Sequence, residues 1–158
     1  MYEVTSNKSS EKVNAAEVET LAAAGRFSVF AIRAWSSAAK QRMPIDHALG
    51  RFFNDFRCGP ALQLFDECMS LLAVSATRKV EIGCCPSNMY VVADENIPLN
   101  CFAALGRENT STAEGIIGEV INSRLTKAFC RSAKLYVQHL SKAGLGFTRP
   151  VTLLVVNK

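Results

Sequence analysis

A group of basic residues in the last third of the chain could form an anion-binding surface. Its members share one face of a predicted helix, because successive ones are three, four or eight residues apart. They are Arg124, Lys127, Arg131, Lys134 and Lys142. We call this group the basic face. No Asp or Glu follows Glu119, so we expect the basic face to attract phosphate groups or an acidic protein surface.

The opposite side of the same helix, predicted over residues 125–143, is apolar. The residues expected to face the core are Leu125, Phe129, Ala133, Tyr136, Val137 and Leu140. Because Phe129 and Tyr136 are on this side, the basic face has no ring to stack on nucleic acid bases. The pattern favours electrostatic contact over base recognition. A helix face that contacts only solvent is the simpler alternative.

Cys84 and Cys85 are the residues most suggestive of metal binding. They are adjacent, directly before Pro86 in a segment without helical periodicity, and Cys101 and His47 could complete a set of four ligands. Zinc prefers thiolate and imidazole ligands in a tetrahedral arrangement, usually from spaced pairs such as C-x-x-C. Adjacent cysteines lack that spacing. We therefore expect no cofactor, with a zinc or redox site centred on Cys84 and Cys85 as the alternative.

No set of catalytic residues stands out. Cys130 lies near Lys127 and Arg131, and such cations favour the nucleophilic thiolate. The next histidine, His139, is more than two helical turns away, which leaves only His47 as a base. The chain also lacks the phosphate-binding loop, the dinucleotide-binding glycine pattern and the G-x-S-x-G nucleophile elbow. The sequence leans toward a protein that is not an enzyme.

Two pairs of adjacent carboxylates are the remaining candidates for acid–base chemistry. They are Asp66–Glu67 and Asp94–Glu95. Neighbouring residues point in different directions on a helix, so the members of a pair are not expected to act together. Positions at helix starts and on solvent-exposed faces explain both pairs better.

Length and composition indicate one globular domain. The chain has 158 residues, of which 49% are apolar and 20% are charged, and its net charge is +4. We expect a flexible tail over residues 1–10 and a single domain over 11–158. No apolar stretch reaches the roughly 20 residues of a membrane span, and the polar start lacks a secretion signal. Cysteines without an export signal are expected to be reduced thiols in the cytoplasm.

Helical periodicity predicts a mainly α fold, a bundle of five to six helices. The first helix is expected from Glu11 to a stop at Gly25. A central helix follows over residues 26–41, with Arg33 on its narrow solvent-exposed side. Its apolar face would consist of Phe27, Phe30, Ala31, Ala34, Trp35 and Ala38. Residues 45–58 and 61–76 are then expected to form a pair of helices around a tight glycine–proline turn.

The second half of the chain contains three further predictions of secondary structure. Asp94 is expected to cap a helix that ends near Leu105, and Ser111 to open another through a capping box with Glu114. A small β element is predicted from residues 79–92 and 150–156, where β-prone residues such as Val and Ile cluster.

Three short motifs resemble a set of small uncharacterised helical proteins from alphaproteobacteria. The motifs are Phe30-Ala-Ile-Arg-Ala-Trp35, Ile82-Gly-Cys84-Cys85 and Ala93-Asp94-Glu95, and the similarity covers residues 26–143. The resemblance implies a bacterial cytoplasmic helical domain and carries no activity with it.

Together these patterns favour a non-catalytic interaction or regulatory module. It would bind a partner protein through the basic face or through an apolar patch. The first alternative is a nucleic-acid-binding protein that acts through phosphate contacts. The second is the zinc or redox protein centred on Cys84 and Cys85.

Overall fold

Six α-helices form most of the part of the chain that the computed structural model describes, residues 17–84 and 88–147. They are α1 (Ala23–Lys40), α2 (Ile45–Asp55), α3 (Ala61–Ser75), α4 (Asn96–Gly106), α5 (Thr110–Ile117) and α6 (Thr126–Lys142). One-turn 3-10 helices precede α1, α4 and α6, at Val18–Thr20, Ala93–Glu95 and Ser123–Leu125. The predicted helical bundle is confirmed. The predicted tail over 1–10 lies outside the described residues.

No helix stops at Gly25 as predicted. Residues 11–16 of the predicted first helix lie outside the described chain, and residues 18–20 form only a 3-10 turn. Gly25 is buried inside α1, which starts at Ala23 after an extended Ala22. A Cβ atom at Gly25 would lie 3.2 Å from the Cβ of Leu21, so the glycine allows the preceding residues to pack closely against the helix. The prediction of a stop at Gly25 is therefore wrong, because the glycine serves packing here and not helix termination.

The predicted helix pair is confirmed as α2 and α3, and the turn between them depends on close packing. Arg57 adopts a left-handed conformation with φ of 61° directly after α2. A Cβ atom at Gly59 would lie only 2.5 Å from the Oδ1 atom of Asn54, so a larger residue would displace that side chain. Phe53 of α2 and Phe65 of α3 then pack with ring centroids 5.8 Å apart.

The centre of the bundle is where α6 packs against α3 and α4. The predicted apolar side of α6 is confirmed, with Leu125 half-buried and the other five residues buried. Tyr136 is fully buried in this core, and its hydroxyl lies 2.7 Å from the hydroxyl of Ser28 in α1. Its ring also packs against Phe65 and Phe102. One residue of α6 thus contacts α1, α3 and α4.

The predicted β element is wrong in the described residues, because no strand forms over 79–84 or 88–92. Tyr90 makes only an isolated antiparallel bridge with Glu17. Backbone groups in this segment bond to buried side chains of Arg33 and Glu95, so they do not need a neighbouring strand. The other predicted half, residues 150–156, lies outside the described chain.

The start of α5 differs from the predicted capping box. The Oδ1 atom of Asn109 accepts a hydrogen bond of 3.2 Å from the Thr112 amide, so Asn109 is the N-cap and Ser111 lies inside the helix. Asn and Ser both cap helices well, and the local sequence offered both. The assignment of the cap to Ser111 is wrong by two residues.

Asn109→Ala is expected to lower the free energy of unfolding by about 1 kcal/mol, because the Thr112 amide loses its partner. Urea denaturation followed by circular dichroism measures this change. Asn100→Ala is the matched control, since Asn100 is exposed within α4 and alanine is the better helix former. Equal effects of the two substitutions would contradict the capping role of Asn109.

Candidate interaction site

The basic face forms one exposed surface along α6 and the 3-10 turn before it. All five of its residues are exposed. Lys127 lies 3.6 Å from the carboxylate of Glu114, and both groups reach solvent. Within residues 17–84 and 88–147, no carboxylate lies within 4.0 Å of the other four cations. The described structure therefore leaves most of the positive charge of this surface unneutralised.

The position of two of these cations is unfavourable for the helix itself. The first turn of α6 contains Lys127 but no acidic residue, and Arg124 lies just before it. The N-terminal end of a helix carries a partial positive charge, so a cation there costs roughly 0.3–1 kcal/mol. Lys127 and Arg124 therefore do not stabilise this end of α6 through the helix dipole.

Carboxylates border the basic face. The Ser132 hydroxyl donates a hydrogen bond of 2.8 Å to the Oε1 atom of Glu67 in α3, which brings that carboxylate beside the middle of α6. Glu114 of α5 lies near Lys127 on the other flank. Glu108 and Lys134 line the same shallow groove near the end of α6. The surface is a band of cations with acidic residues at its edges.

Three of the four predicted metal ligands lie in the part of the chain that the structure describes. Cys84 is exposed, His47 is exposed on α2, and Cys101 is buried in α4, while Cys85 lies outside the described residues. No group of three or more His, Cys, Asp or Glu side chains in the described chain could hold a metal ion. The Sγ atom of Cys101 instead lies 4.0 Å from the Sγ atom of Cys130 in α6.

Arg33 and Glu95 form a buried ion pair that was not predicted from the sequence. Arg33 was predicted on the solvent-exposed side of its helix, and that prediction is wrong, since both side chains are 0% exposed. The Arg33 Nε and Nη2 atoms donate hydrogen bonds of 2.8 Å to the two carboxylate oxygens of Glu95. This bidentate arrangement is the strongest geometry available to the two groups.

The buried ion pair also holds the segment that contains Cys84. The guanidinium of Arg33 donates hydrogen bonds of 2.8 Å to the carbonyls of Asn88 and Tyr90. The carboxylate of Glu95 accepts hydrogen bonds of 2.8 Å from the amides of Gly83 and Val92. Both carboxylate oxygens of Glu95 and both Nη atoms of Arg33 thus bond to this backbone as well, and the role of the pair is structural.

Asp94, the neighbour of Glu95, has a different partner from the one predicted. Its carboxylate accepts bonds of 3.0 and 3.1 Å from Arg78 and one of 2.8 Å from the Glu81 amide. The Arg78 guanidinium holds the pKa of the Asp94 carboxyl below its usual range. The prediction that Asp94 caps the following helix is wrong, because its side chain turns toward residues 78–81 and α4 begins at Asn96.

An apolar cleft of about 400 Å³ lies between α1, α3 and residues 76–82. Its walls include Trp35, Leu72 and Ile82. The Trp35 indole donates a hydrogen bond of 2.8 Å to Asp66, which fixes the ring between α1 and α3. The residues that line this cleft include no recognisable set of catalytic groups. The nearby charges of Arg78 and Asp94 neutralise each other.

A small aromatic patch is exposed where α1 meets α2. Phe30 and Phe56 are 38% and 45% exposed, and both rings contact the half-buried Phe52, at centroid distances of 4.5 and 5.2 Å. Together these rings form an exposed apolar patch on the described surface. Nothing in the described residues indicates what covers it.

Comparison with protein-family models, with curated proteins and with solved structures found no match. The resemblance to small alphaproteobacterial proteins therefore stays a prediction. Among the helices of the described chain, none has the length and hydropathy that crossing a bilayer requires.

Proposed function

We propose that the protein is a non-catalytic interaction module that binds an acidic surface of a partner protein through the basic face. The observation that carries this proposal is the exposure of five cations along α6, of which only Lys127 has a carboxylate nearby among the described residues. Cations on this face gain electrostatic energy from an acidic partner without breaking existing buried contacts. A cytoplasmic location belongs to the same proposal and is supported by free thiols in the described chain.

A partner protein accounts for the borders of this surface better than a nucleic acid does. Glu67 and Glu114 flank the cations, and their charge would repel a continuous phosphate backbone. A protein surface carries both signs of charge and can match such a mixed pattern. The aromatic residues of α6 are buried, so no base could stack on them.

Charge reversal of the basic face tests the proposal. We expect Arg131→Glu with Lys134→Glu to weaken binding of a labelled acidic peptide, oligoglutamate, by about tenfold or more at low salt. Both residues are exposed, so folding should be retained. Lys40→Glu with Arg51→Glu is the matched control, because it changes the net charge equally at exposed positions of α1 and α2. Fluorescence anisotropy measures each affinity.

The same variants identify the class of partner in extracts of the native host. A protein captured by the wild type and by the control variant, but lost with Arg131→Glu and Lys134→Glu, would support the proposal. Equal capture by all three would reject the basic face as the binding surface. A labelled DNA duplex included in parallel distinguishes the alternative. Binding to the duplex that falls steeply with salt, without binding to oligoglutamate, would favour a nucleic-acid-binding protein.

A further inference from the structure

Two cysteines lie opposite each other across the interface of α4 and α6. The Sγ atoms of Cys101 and Cys130 are 4.0 Å apart. Cys101 is fully buried, whereas Cys130 keeps 3% of its surface exposed and precedes the exposed Arg131. The sulfurs must approach by roughly 2 Å to reach the length of a disulfide bond. Disulfide formation therefore requires rotation of the two side chains or a small movement of the helices.

The two thiols have different chemical characters. The hydrogen bond that the two thiols share lowers the pKa of Cys130, and the nearby Lys127 acts in the same direction. That hydrogen bond and burial raise the pKa of Cys101. A thiolate is the form that reacts with peroxides, whereas the neighbouring thiol supplies the second sulfur of a disulfide. Cys130 is therefore suited to react first and Cys101 second.

We propose that Cys101 and Cys130 form a reversible dithiol–disulfide site that is oxidised by hydrogen peroxide. In the first step the Cys130 thiolate attacks one peroxide oxygen, the O–O bond breaks, hydroxide leaves and the sulfur becomes a sulfenic acid. In the second step the Cys101 sulfur, after losing its proton to that hydroxide, attacks the Cys130 sulfur. The S–S bond forms, the S–O bond breaks and a second hydroxide leaves, taking up a proton to form water. The sum is two thiols and one peroxide giving one disulfide and two waters.

The other described cysteines lack this combination of features. Cys68 is fully buried, its Sγ atom lies 3.9 Å from the Phe129 carbonyl, and burial raises its pKa. Burial raises the pKa of Cys58 to about 11, and its Sγ atom lies 3.5 Å from the Phe53 carbonyl. Cys84 is exposed. Of the thiols in residues 17–84 and 88–147, only Cys101 and Cys130 share a sulfur–sulfur hydrogen bond.

Peptide mapping of the oxidised full-length protein tests the site. The protein carries Cys84→Ser and Cys85→Ser to prevent cross-linking between molecules, is reduced with dithiothreitol and is then treated with hydrogen peroxide. We expect the intact mass to fall by two hydrogen atoms and digestion without reductant to yield a peptide joining Cys101 to Cys130. Dithiothreitol should restore the original mass. Adding Cys130→Ser should abolish the mass loss, and adding Cys58→Ser is the matched control that should leave it unchanged.

Three results would overturn the inference. One is an intact mass that does not fall on treatment with hydrogen peroxide, at concentrations that oxidise a free cysteine peptide. Another is a disulfide that joins Cys68 to Cys130. The third is mass loss that persists in the Cys130→Ser variant. The first two results are measured on protein that retains all of its buried cysteines. They therefore do not require a variant with a substitution in the core to fold.

Discussion

Replacing Arg33 with methionine, or Glu95 with glutamine, is expected to destabilise the protein by about 3–5 kcal/mol. Both side chains are 0% exposed, so either substitution leaves the remaining charge buried without its partner. Glutamine at position 95 would also present its N–H donors toward one of two amides, that of Gly83 or that of Val92, which both now donate to the carboxylate. Urea denaturation measures the change in the free energy of unfolding.

Arg33→Lys distinguishes the contribution of the positive charge at residue 33 from that of the hydrogen-bond geometry of arginine. Lysine keeps the positive charge but cannot bond both carboxylate oxygens and two carbonyls at once. We expect Arg33→Lys to be less stable than the wild type but more stable than Arg33→Met. Hydrogen exchange of the Gly83 and Val92 amides should become faster in all three variants, since these amides bond to Glu95.

The exposed ion pair of Arg78 and Asp94 is the control for the buried one. Its atoms are 3.0 Å apart, but 49% of the Arg78 side chain is exposed. An exposed pair is screened by solvent and contributes little to stability, so Arg78→Met should cost far less than Arg33→Met. Similar losses for the two variants would contradict the conclusion that the Arg33–Glu95 pair organises the residues around Gly83.

The sequence was sufficient to predict the helices and the basic face because both depend on local spacing. The cations of α6 recur at intervals that place them on one side, and the structure exposes all five. The same reasoning was wrong for Arg33, which has the seven-residue spacing to Arg26 and Lys40 expected of a solvent-exposed stripe. Periodicity identifies which residues share a helix face but does not show what packs against that face.

Long-range pairs could not be predicted from one sequence. Arg33 and Glu95 are 62 residues apart, and Cys101 and Cys130 are 29 residues apart. Cys101 was considered as a possible zinc ligand and Cys130 as a cysteine close to basic residues, and neither interpretation predicted their contact. One local clue was available, since Gly83 interrupts a segment of β-prone residues. An isolated glycine in such a segment indicates a close approach of another group.

Gly83→Ala is the second substitution with a large expected effect, because Arg33 and Glu95 lie close to Gly83. A Cβ atom at residue 83 would lie 2.7 Å from the Nε atom of Arg33 and 3.1 Å from the Oε2 atom of Glu95. Neither side chain can withdraw into solvent, because both are buried and bonded on several sides. We expect a loss of about 2–3 kcal/mol from overpacking and from distortion of the ion pair, measured by urea denaturation.

The same substitution at another glycine, Gly50→Ala, is expected to have the opposite effect on stability. Gly50 lies within α2, and a Cβ atom there would have no neighbour within 4 Å. Alanine is the better helix former, so this substitution should stabilise the protein by roughly 0.5–1 kcal/mol. Because both variants add one methyl group, a difference in sign between them isolates the contact with Arg33 and Glu95. A Gly83→Ala protein as stable as the wild type would show that the segment has room to move away from the ion pair, and the described packing of Gly83 against Arg33 would then be wrong.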